Sequence, residues 1–261
     1  MNELIANEPQ IRLFAFFGIL VIMIVWQVLK PRRSYVKPMK EKAIRWTSHS
    51  LMMVISTLLI RLALPFSATA FALYISDNDL ALFGFSLPLV LGVIVLDCLI
   101  YWQHRIFHKV PMLWRLHRVH HSDSTLDVTS AIRFHPIEIF LSMLIKFAAI
   151  WLFGLSAATV IVFEIILNGM AMFNHSNARV PADNILRWIF VTPDMHRVHH
   201  SVYGNETNSN YGFNISLWDR IFGSYVAQPK DGHEGMKIGL NEYPGGESGL
   251  KGLLVMPFKG K

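Results

Sequence analysis

The hexapeptide His-Arg-Val-His-His-Ser begins at His117 and again at His196, in a chain of 261 residues that carries 12 histidines. Helical positions i, i+3 and i+4 share a face. Each copy therefore directs three imidazoles one way: His117, His120 and His121 in the first, His196, His199 and His200 in the second. An i, i+4 pair, His104 and His108, precedes them, and His135 and His175 stand singly between the copies. Imidazole is a good ligand for iron, zinc, copper and nickel. Ten such rings would serve two ions with five nitrogens each, leaving His49 and His233 outside. A single helical histidine is usually a packing or surface residue, but three clusters at helical spacing argue against that reading for the set. His135 precedes Pro136 and could instead begin a helix.

The single cysteine, Cys98, excludes an intrachain disulfide and any thiolate-only zinc or iron-sulfur cluster. Asp123, Asp127, Glu138 and Asp194 lie close in sequence to the histidines and could accept imidazole N–H groups, though each could equally cap a helix. Arg118 and Arg197 hold the same place in both repeats, suited to those carboxylates, to lipid phosphate or to solvent.

The elements that must position these rings are apolar. Hydrophobic residues make up 52% of the chain and charged residues 16%, with a mean hydropathy of +0.37. A soluble domain carries roughly 25% charged residues, so the composition reads as membrane protein. Four apolar regions stand out at 13–29, 51–76, 80–102 and 136–173. The last is about twice the roughly 20 residues that cross a bilayer and breaks at Gly154-Leu155-Ser156, so it reads as a helical hairpin. Lys30, Arg32, Arg33, Lys37, Lys40, Lys42 and Arg45 lie between the first two regions, whereas Asp77-Asn78-Asp79 after the second holds no basic residue. That asymmetry places the first link in the cytoplasm, and counting onward brings every histidine cluster to that face. Arg61, Asp97, Lys146 and Glu164 fall inside apolar regions, where ionisable groups are costly; Lys146 and Glu164 are positioned to meet across the hairpin. Methionines such as Met52 and Met172 read as core filling. The net charge of +6 brackets the apolar spans instead of forming an aromatic-interleaved stripe, which argues against nucleic acid as a partner.

Taken in order, H-x-x-x-H, H-x-x-H-H, His135-Pro-Ile-Glu138, Asn174-His175 and the second H-x-x-H-H resemble the fatty acid hydroxylase and sterol desaturase superfamily of membrane di-iron enzymes. The segment 205–225, NETNSNYGFNISLWDRIFGSY, is similar to the stretch after the last box in bacterial members. The resemblance implies an all-α membrane bundle of about four main helices, the last two a hairpin, capped by a cytoplasmic helical unit. On this reading residues 1–50 form an anchor and basic link, 51–225 the oxygenase domain and 226–261 a cytoplasmic tail. All ten histidines would bind two iron ions, with dioxygen as co-substrate and zinc as a possible substitute. The substrate would be a sterol, fatty acyl or related lipid, hydroxylated or desaturated in a bacterial cytoplasmic membrane. Some members carry a further histidine four residues before the position of His175; here it is Ala171, which leaves His135 to supply that ligand.

Electrons would come from a separate ferredoxin, reductase or b-type cytochrome. The chain has no dinucleotide fingerprint and no iron-sulfur cysteines, and Tyr243-Pro-Gly-Gly lacks the histidine of a b-type cytochrome motif. Two other classes compete. A membrane zinc hydrolase needs only three ligands and a water, which leaves most of these histidines unexplained. A metal transporter or sensor would favour ligands near mid-membrane, whereas these lie at its edge. His120→Ala or His199→Ala is expected to abolish turnover and lower metal content, with His49→Ala doing neither, as measured by metal analysis alongside product formation.

Overall fold

The computed structural model describes residues 2–35 and 37–259, and among these it is helical, with isolated bridges at Pro31–Ala178, Phe190–Ile215 and Ser201–Ile238 and no longer strand. The membrane body comprises α1 (Asn2–Ala6), α2 (Glu8–Leu29), α3 (Met39–Ala63), α4 (Ala68–Asp77), α5 (Leu89–Lys109), α7 (Pro136–Phe153) and α8 (Ala157–His175). Between α5 and α7 lie α6 (Pro111–His121) and a 3-10 turn, Val128–Ile132. The cap is completed by α9 (Asp183–Leu186), α10 (Pro193–His199), α11 (Gly204–Thr207), α12 (Leu217–Ile221), α13 (Gly232–Gly235) and α14 (Leu250–Val255).

Five segments are long and apolar enough to cross a membrane: Glu8–Leu29, Met39–Asp77, Leu89–Lys109, Pro136–Phe153 and Ala157–His175. The expected hairpin is present. Gly154 closes α7 in the left-handed conformation, at φ 57°, and the Ser156 side chain accepts the Thr159 N–H to start α8. The second apolar region differs from the expectation. Its helix starts twelve residues earlier, at Met39, and breaks before Pro65, which cannot donate and forces Leu64 into an extended conformation. The third span starts at Leu89, because Pro88 closes a loop whose Leu82 and Leu87 N–H groups donate to Trp151 and Phe153 carbonyls at the foot of α7.

One apolar core joins α4, α5, α7 and α8 through Ala72, Leu96, Ile150, Val160 and Phe163. The histidines gather at the opposite end of the bundle, where α5 and α8 finish and α3 and α7 begin. Lys146 pairs with Glu164 across the hairpin as expected, and Arg12 of α2 lies 2.7 Å from the second Glu164 oxygen. Arg61 is exposed in the last turn of α3. Asp97 is buried and accepts the Trp218 indole N–H at 2.7 Å.

The chain termini clamp the cap. Gln27 accepts the backbone N–H groups of Val128 and Asn177, both at 3.1 Å, and Arg32 bonds to Asp194. From the C-terminal side, Leu253 and Met256 pack with Met52 and Val119, and Arg118 donates to the Met256 and Lys259 carbonyls. Glu164→Leu strands the buried Lys146 ammonium without its carboxylate and is expected to cost about 3–5 kcal/mol. The check is a lower melting midpoint in detergent, most of it recovered when Lys146→Met is added.

Candidate metal centre

Each box is held on a short helix with a defined start. Pro111 opens α6 in its first turn, and the Thr192 side chain accepts the Met195 N–H to open α10, again with a proline, Pro193, in the first turn. Ring nitrogens then converge in two groups, each with its atoms within 4.8 Å of one another: His104, His108, His117, His121 and His199 in one, His120, His175, His196 and His200 in the other. The structure therefore brings together nine of the ten expected rings.

The two boxes do not each serve one group, as a single shared face would require. Adjacent helical residues point about 100° apart. His117 and His121 enter the first group while His120 turns to the second; His196 and His200 enter the second while His199 turns to the first. The repeat is thus crossed. The groups abut through His121 and His200, whose rings stack with centroids 4.4 Å apart.

His135 is brought to neither group. It is the N-cap of α7, where its Nδ1 accepts the Ile137 N–H at 3.3 Å and its Nε2 lies 3.3 Å from the Leu254 carbonyl. The proline after it makes capping the better use of this ring. The second group accordingly has four histidines, and Ala171 contributes only its carbonyl oxygen, which accepts the His175 Nδ1–H at 2.7 Å.

That contact belongs to a pattern which sets tautomers. A carbonyl oxygen can only accept, so His104 Nδ1 donates to Tyr211 at 2.8 Å and His199 Nδ1 to Ser209 at 2.7 Å. His117 Nδ1 meets the Glu138 carboxylate at 2.6 Å. With the proton fixed outward, each Nε2 presents a lone pair inward. In the first group the Nε2 atoms of His104, His108, His117 and His199 are buried with no hydrogen-bond partner among the described residues. In the second group His175 Nε2 lies 3.0 Å from the Nε2 atoms of both His120 and His196. Ligands about 2.1 Å from one ion and at right angles to each other would stand about 3 Å apart. The donor set thus fits metal ions: all nitrogen, buried, and in the first group unsatisfied.

Neutrality follows from burial. Removal from water, reinforced by neighbouring imidazoles, holds His120, His121, His196 and His200 far below the usual histidine range. Burial brings His199 down to about 3, its bond to the Ser209 carbonyl acting in the other direction.

The four carboxylates divide. Only Glu138 touches a gathered ring. Asp123 and Asp127 instead bind Arg45 of α3, Asp123 by a two-pronged contact at 2.8 and 2.6 Å and Asp127 at 2.6 Å. Asp194 pairs with Arg32 and Arg197. Arg133 continues the buried polar layer, donating to the Val119 carbonyl and Ser122 and lying 2.9 Å from His49 Nε2. His49 is therefore no bystander to the fold: it is fully buried, and its Nδ1 lies at 3.0 Å from the Thr129 hydroxyl. Spacing alone does not single out Arg45, Arg133 or Gln27.

The loop beneath the rings is tied by its own polar residues. Asp219 accepts the Tyr211 and Gly212 N–H groups, both at 2.7 Å, so the carbonyl of Tyr211 is aimed at His104. Burial raises this carboxyl to about 6 against those hydrogen bonds. Asn210, at φ 48°, donates to Met195 and Val226 carbonyls. Phe222 stacks on Tyr101, its centroid 5.2 Å away.

A family model described as fatty acid hydroxylase matches residues 89–224, just over half of the chain. The chain belongs to that family. Among curated proteins, it is similar to an ornithine lipid hydroxylase of Rhizobium tropici, 31% identical over 141 residues that cover 54% of this chain and 42% of that one. It is 30% identical over 148 residues to an alkylglycerol monooxygenase of Xenopus tropicalis, covering 55% and 31%. A sphinganine C4-monooxygenase of Arabidopsis thaliana is 31% identical over 140 residues, covering 52% and 53%. The chain thus spans about half or less of the length of these relatives. No solved structure matches it.

His135→Ala is expected to leave metal content at the wild-type level, whereas Glu138→Ala is expected to weaken binding roughly 10–100-fold by freeing the His117 ring; metal titration followed by mass spectrometry separates the two. Metal-stripped protein is expected to lose stability with acid. His120, His121, His196, His199 and His200 stay neutral when folded but take up protons near pH 6.5 when unfolded, so stability is complete above that value and falls as the pH drops through it toward the depressed folded values. Melting midpoints between pH 8 and pH 5 measure it.

Proposed function

We propose that this protein is a di-iron oxidoreductase that uses dioxygen to hydroxylate or desaturate a lipid at a C–H bond, drawing electrons from a separate donor. The observation that carries the reading is the pair of buried, converging histidine groups at one end of a membrane bundle. Family membership supports it, as do relatives named for ornithine lipid, alkylglycerol and sphinganine. The ligands are His104, His108, His117, His121 and His199 for one ion and His120, His175, His196 and His200 for the other. Iron bound there would supply the reduction of dioxygen and an oxidant able to remove hydrogen from an unactivated carbon.

This chain's own residues orient and admit. Tyr211, Ser209, Ala171 and Glu138 hold the protons of His104, His199, His175 and His117 outward. A crevice between α5, α7 and α8, lined by Leu96, Leu99, Ile100, Ser142, Ile145, Lys146 and Phe163, holds only about 10 Å³, so an acyl chain from the bilayer would enter only where these helices part. A second opening, about 260 Å³ and lined by His108, Trp114, Thr207, Asn208, Asn241 and Glu242, faces the cap and gives the polar side of the centre access to water. The donor would approach from the cap, where a cleft of about 480 Å³ exposes Arg33, Lys37 and Lys237. The basic link orients the centre toward the cytoplasm. Residues 51–225 form the oxygenase unit, with the anchor and the tail clamping it.

Iron-loaded protein supplied with reductant and membrane lipid is expected to consume dioxygen and yield a lipid that has gained one oxygen atom or lost two hydrogens, read by mass spectrometry. Zinc-loaded protein is expected to do neither. Lipid hydrolysis by the zinc form without dioxygen uptake would replace this reading with that of a hydrolase.

A further inference from the structure

The cap carries a large apolar face that the metal centre does not use. Ile185, Trp188 and Ile189 are 66%, 65% and 60% exposed, and Ile221, Leu217 and Phe190 are 57%, 46% and 44% exposed. A contiguous patch of this kind facing water is uncommon and marks a binding surface. The two segments that form it are fastened together. The Ser216 N–H donates to the Ile189 carbonyl and the Val191 N–H to Asn214, both at 3.0 Å. The Ser216 hydroxyl and the Arg220 guanidinium both donate to the Arg187 carbonyl, at 2.6 and 2.8 Å. The result is a braced platform.

Its position along the bundle decides what covers it. Trp218 of α12 reaches Asp97, which lies seven residues before His104 on α5 and hence about 10 Å deeper along that span. Phe222 packs on Trp102 with centroids 4.9 Å apart. Trp102 and Ile106, one turn apart on α5, are themselves 39% and 45% exposed, so the outward apolar stripe of a membrane span runs directly into the platform. Arg220 lies over the Trp188 ring, 4.3 Å from its centroid, and over Tyr225 at 3.8 Å. A guanidinium above amphipathic rings is the arrangement that suits the headgroup level of a bilayer. With four residues in α9 and five in α12, neither segment can cross a membrane.

We propose that this platform is a membrane-embedded foot, with its six apolar side chains among the acyl chains of the leaflet on the histidine side and Arg220 at the phosphate level. Its partner is phospholipid, because the face is continuous with a lipid-facing span. It would fix the depth of the cap, and with it the height of both histidine groups relative to the headgroups. None of this depends on the reaction catalysed.

In a Cys98→Ser background, the full chain carrying Trp188→Cys or Ile221→Cys is labelled with a nitroxide and reconstituted in vesicles of phosphatidylcholine and phosphatidylglycerol. Oxygen is expected to relax both labels more strongly than a water-soluble nickel chelate, the reverse of the order at Lys237→Cys on the exposed tail. Labels as open to nickel as that control would overturn the proposal. So would labels shielded from both relaxers and broadened by spin–spin coupling, which would put a second copy of the chain on this face. The unlabelled protein gives a second route: brominated phospholipids are expected to quench its tryptophan fluorescence, with W188F losing part of that quenching. Equal quenching of both proteins would also overturn it.

Discussion

A buried imidazole lone pair without a hydrogen-bond donor is the constraint on which the rest of this structure depends. A neutral ring has one N–H and one acceptor nitrogen, so an inward lone pair demands an outward acceptor. For His104, His199, His175 and His117 the Tyr211, Ser209 and Ala171 carbonyls and the Glu138 carboxylate meet that demand. Each acceptor must then be held in place. Ala171 and Glu138 are placed by membrane helices, but Tyr211 and Ser209 belong to a loop without regular structure. That loop keeps its course because Asp219 accepts its Tyr211 and Gly212 N–H groups, because the Asn210 side chain ties it to the Met195 and Val226 backbone, and because Gly212 admits Asp219 where a β-carbon would stand only 2.7 Å from the carboxylate oxygen.

The second requirement is to keep four distant segments in register at one end of the bundle. Hydrophobic packing does this at the far end, where α4, α5, α7 and α8 share a dry core. Near the histidines the packing is polar and buried, and an unpaired group there is costly. Arg45 satisfies Asp123, Asp127 and Ser130 at once, and Arg133 satisfies Val119, Ser122 and His49. These two guanidiniums join α3 to the segment after the first box. Arg197, in the second box, is turned outward to Asp194, and Arg118, in the first, to the C-terminal tail. Arg118 therefore ties the first box to the C-terminal tail, whereas Arg197 pairs within its own helix with Asp194, which in turn binds Arg32.

Much of this is legible in the residue order because it is written locally. The histidine spacing, the Gly154 break and the apolar lengths are features of single segments. The Lys146–Glu164 pair is legible because a hairpin fixes which residues face each other. The illegible part comes from partners far apart in the chain: Arg45 and Asp123 are 78 positions apart and Trp218 and Asp97 are 121. No periodicity marks such pairs. The early start of α3 is hidden for a related reason, since its first turns are basic and serve the cap, so hydropathy places the span only from Leu51. His135 shows the converse, a residue whose type fits a ligand but whose place before a proline fits a helix cap better.

The crossed assignment of the two boxes has a consequence that neither box has alone. Because His120 and His121 are neighbours in sequence yet serve different groups, as do His199 and His200, two pairs of adjacent residues set the separation of the groups. Their ring centroids lie 5.5 and 5.4 Å apart. A rotation of α6 that drew His121 toward the first group would swing His120 in the same sense, out of the second. Neither group can be adjusted without disturbing the other. Had each box supplied one group, the two could drift apart as α6 and α10 moved; with the boxes crossed, relative motion of these helices strains both groups at once. The identical hexapeptides are thus a means of holding two histidine groups at one spacing.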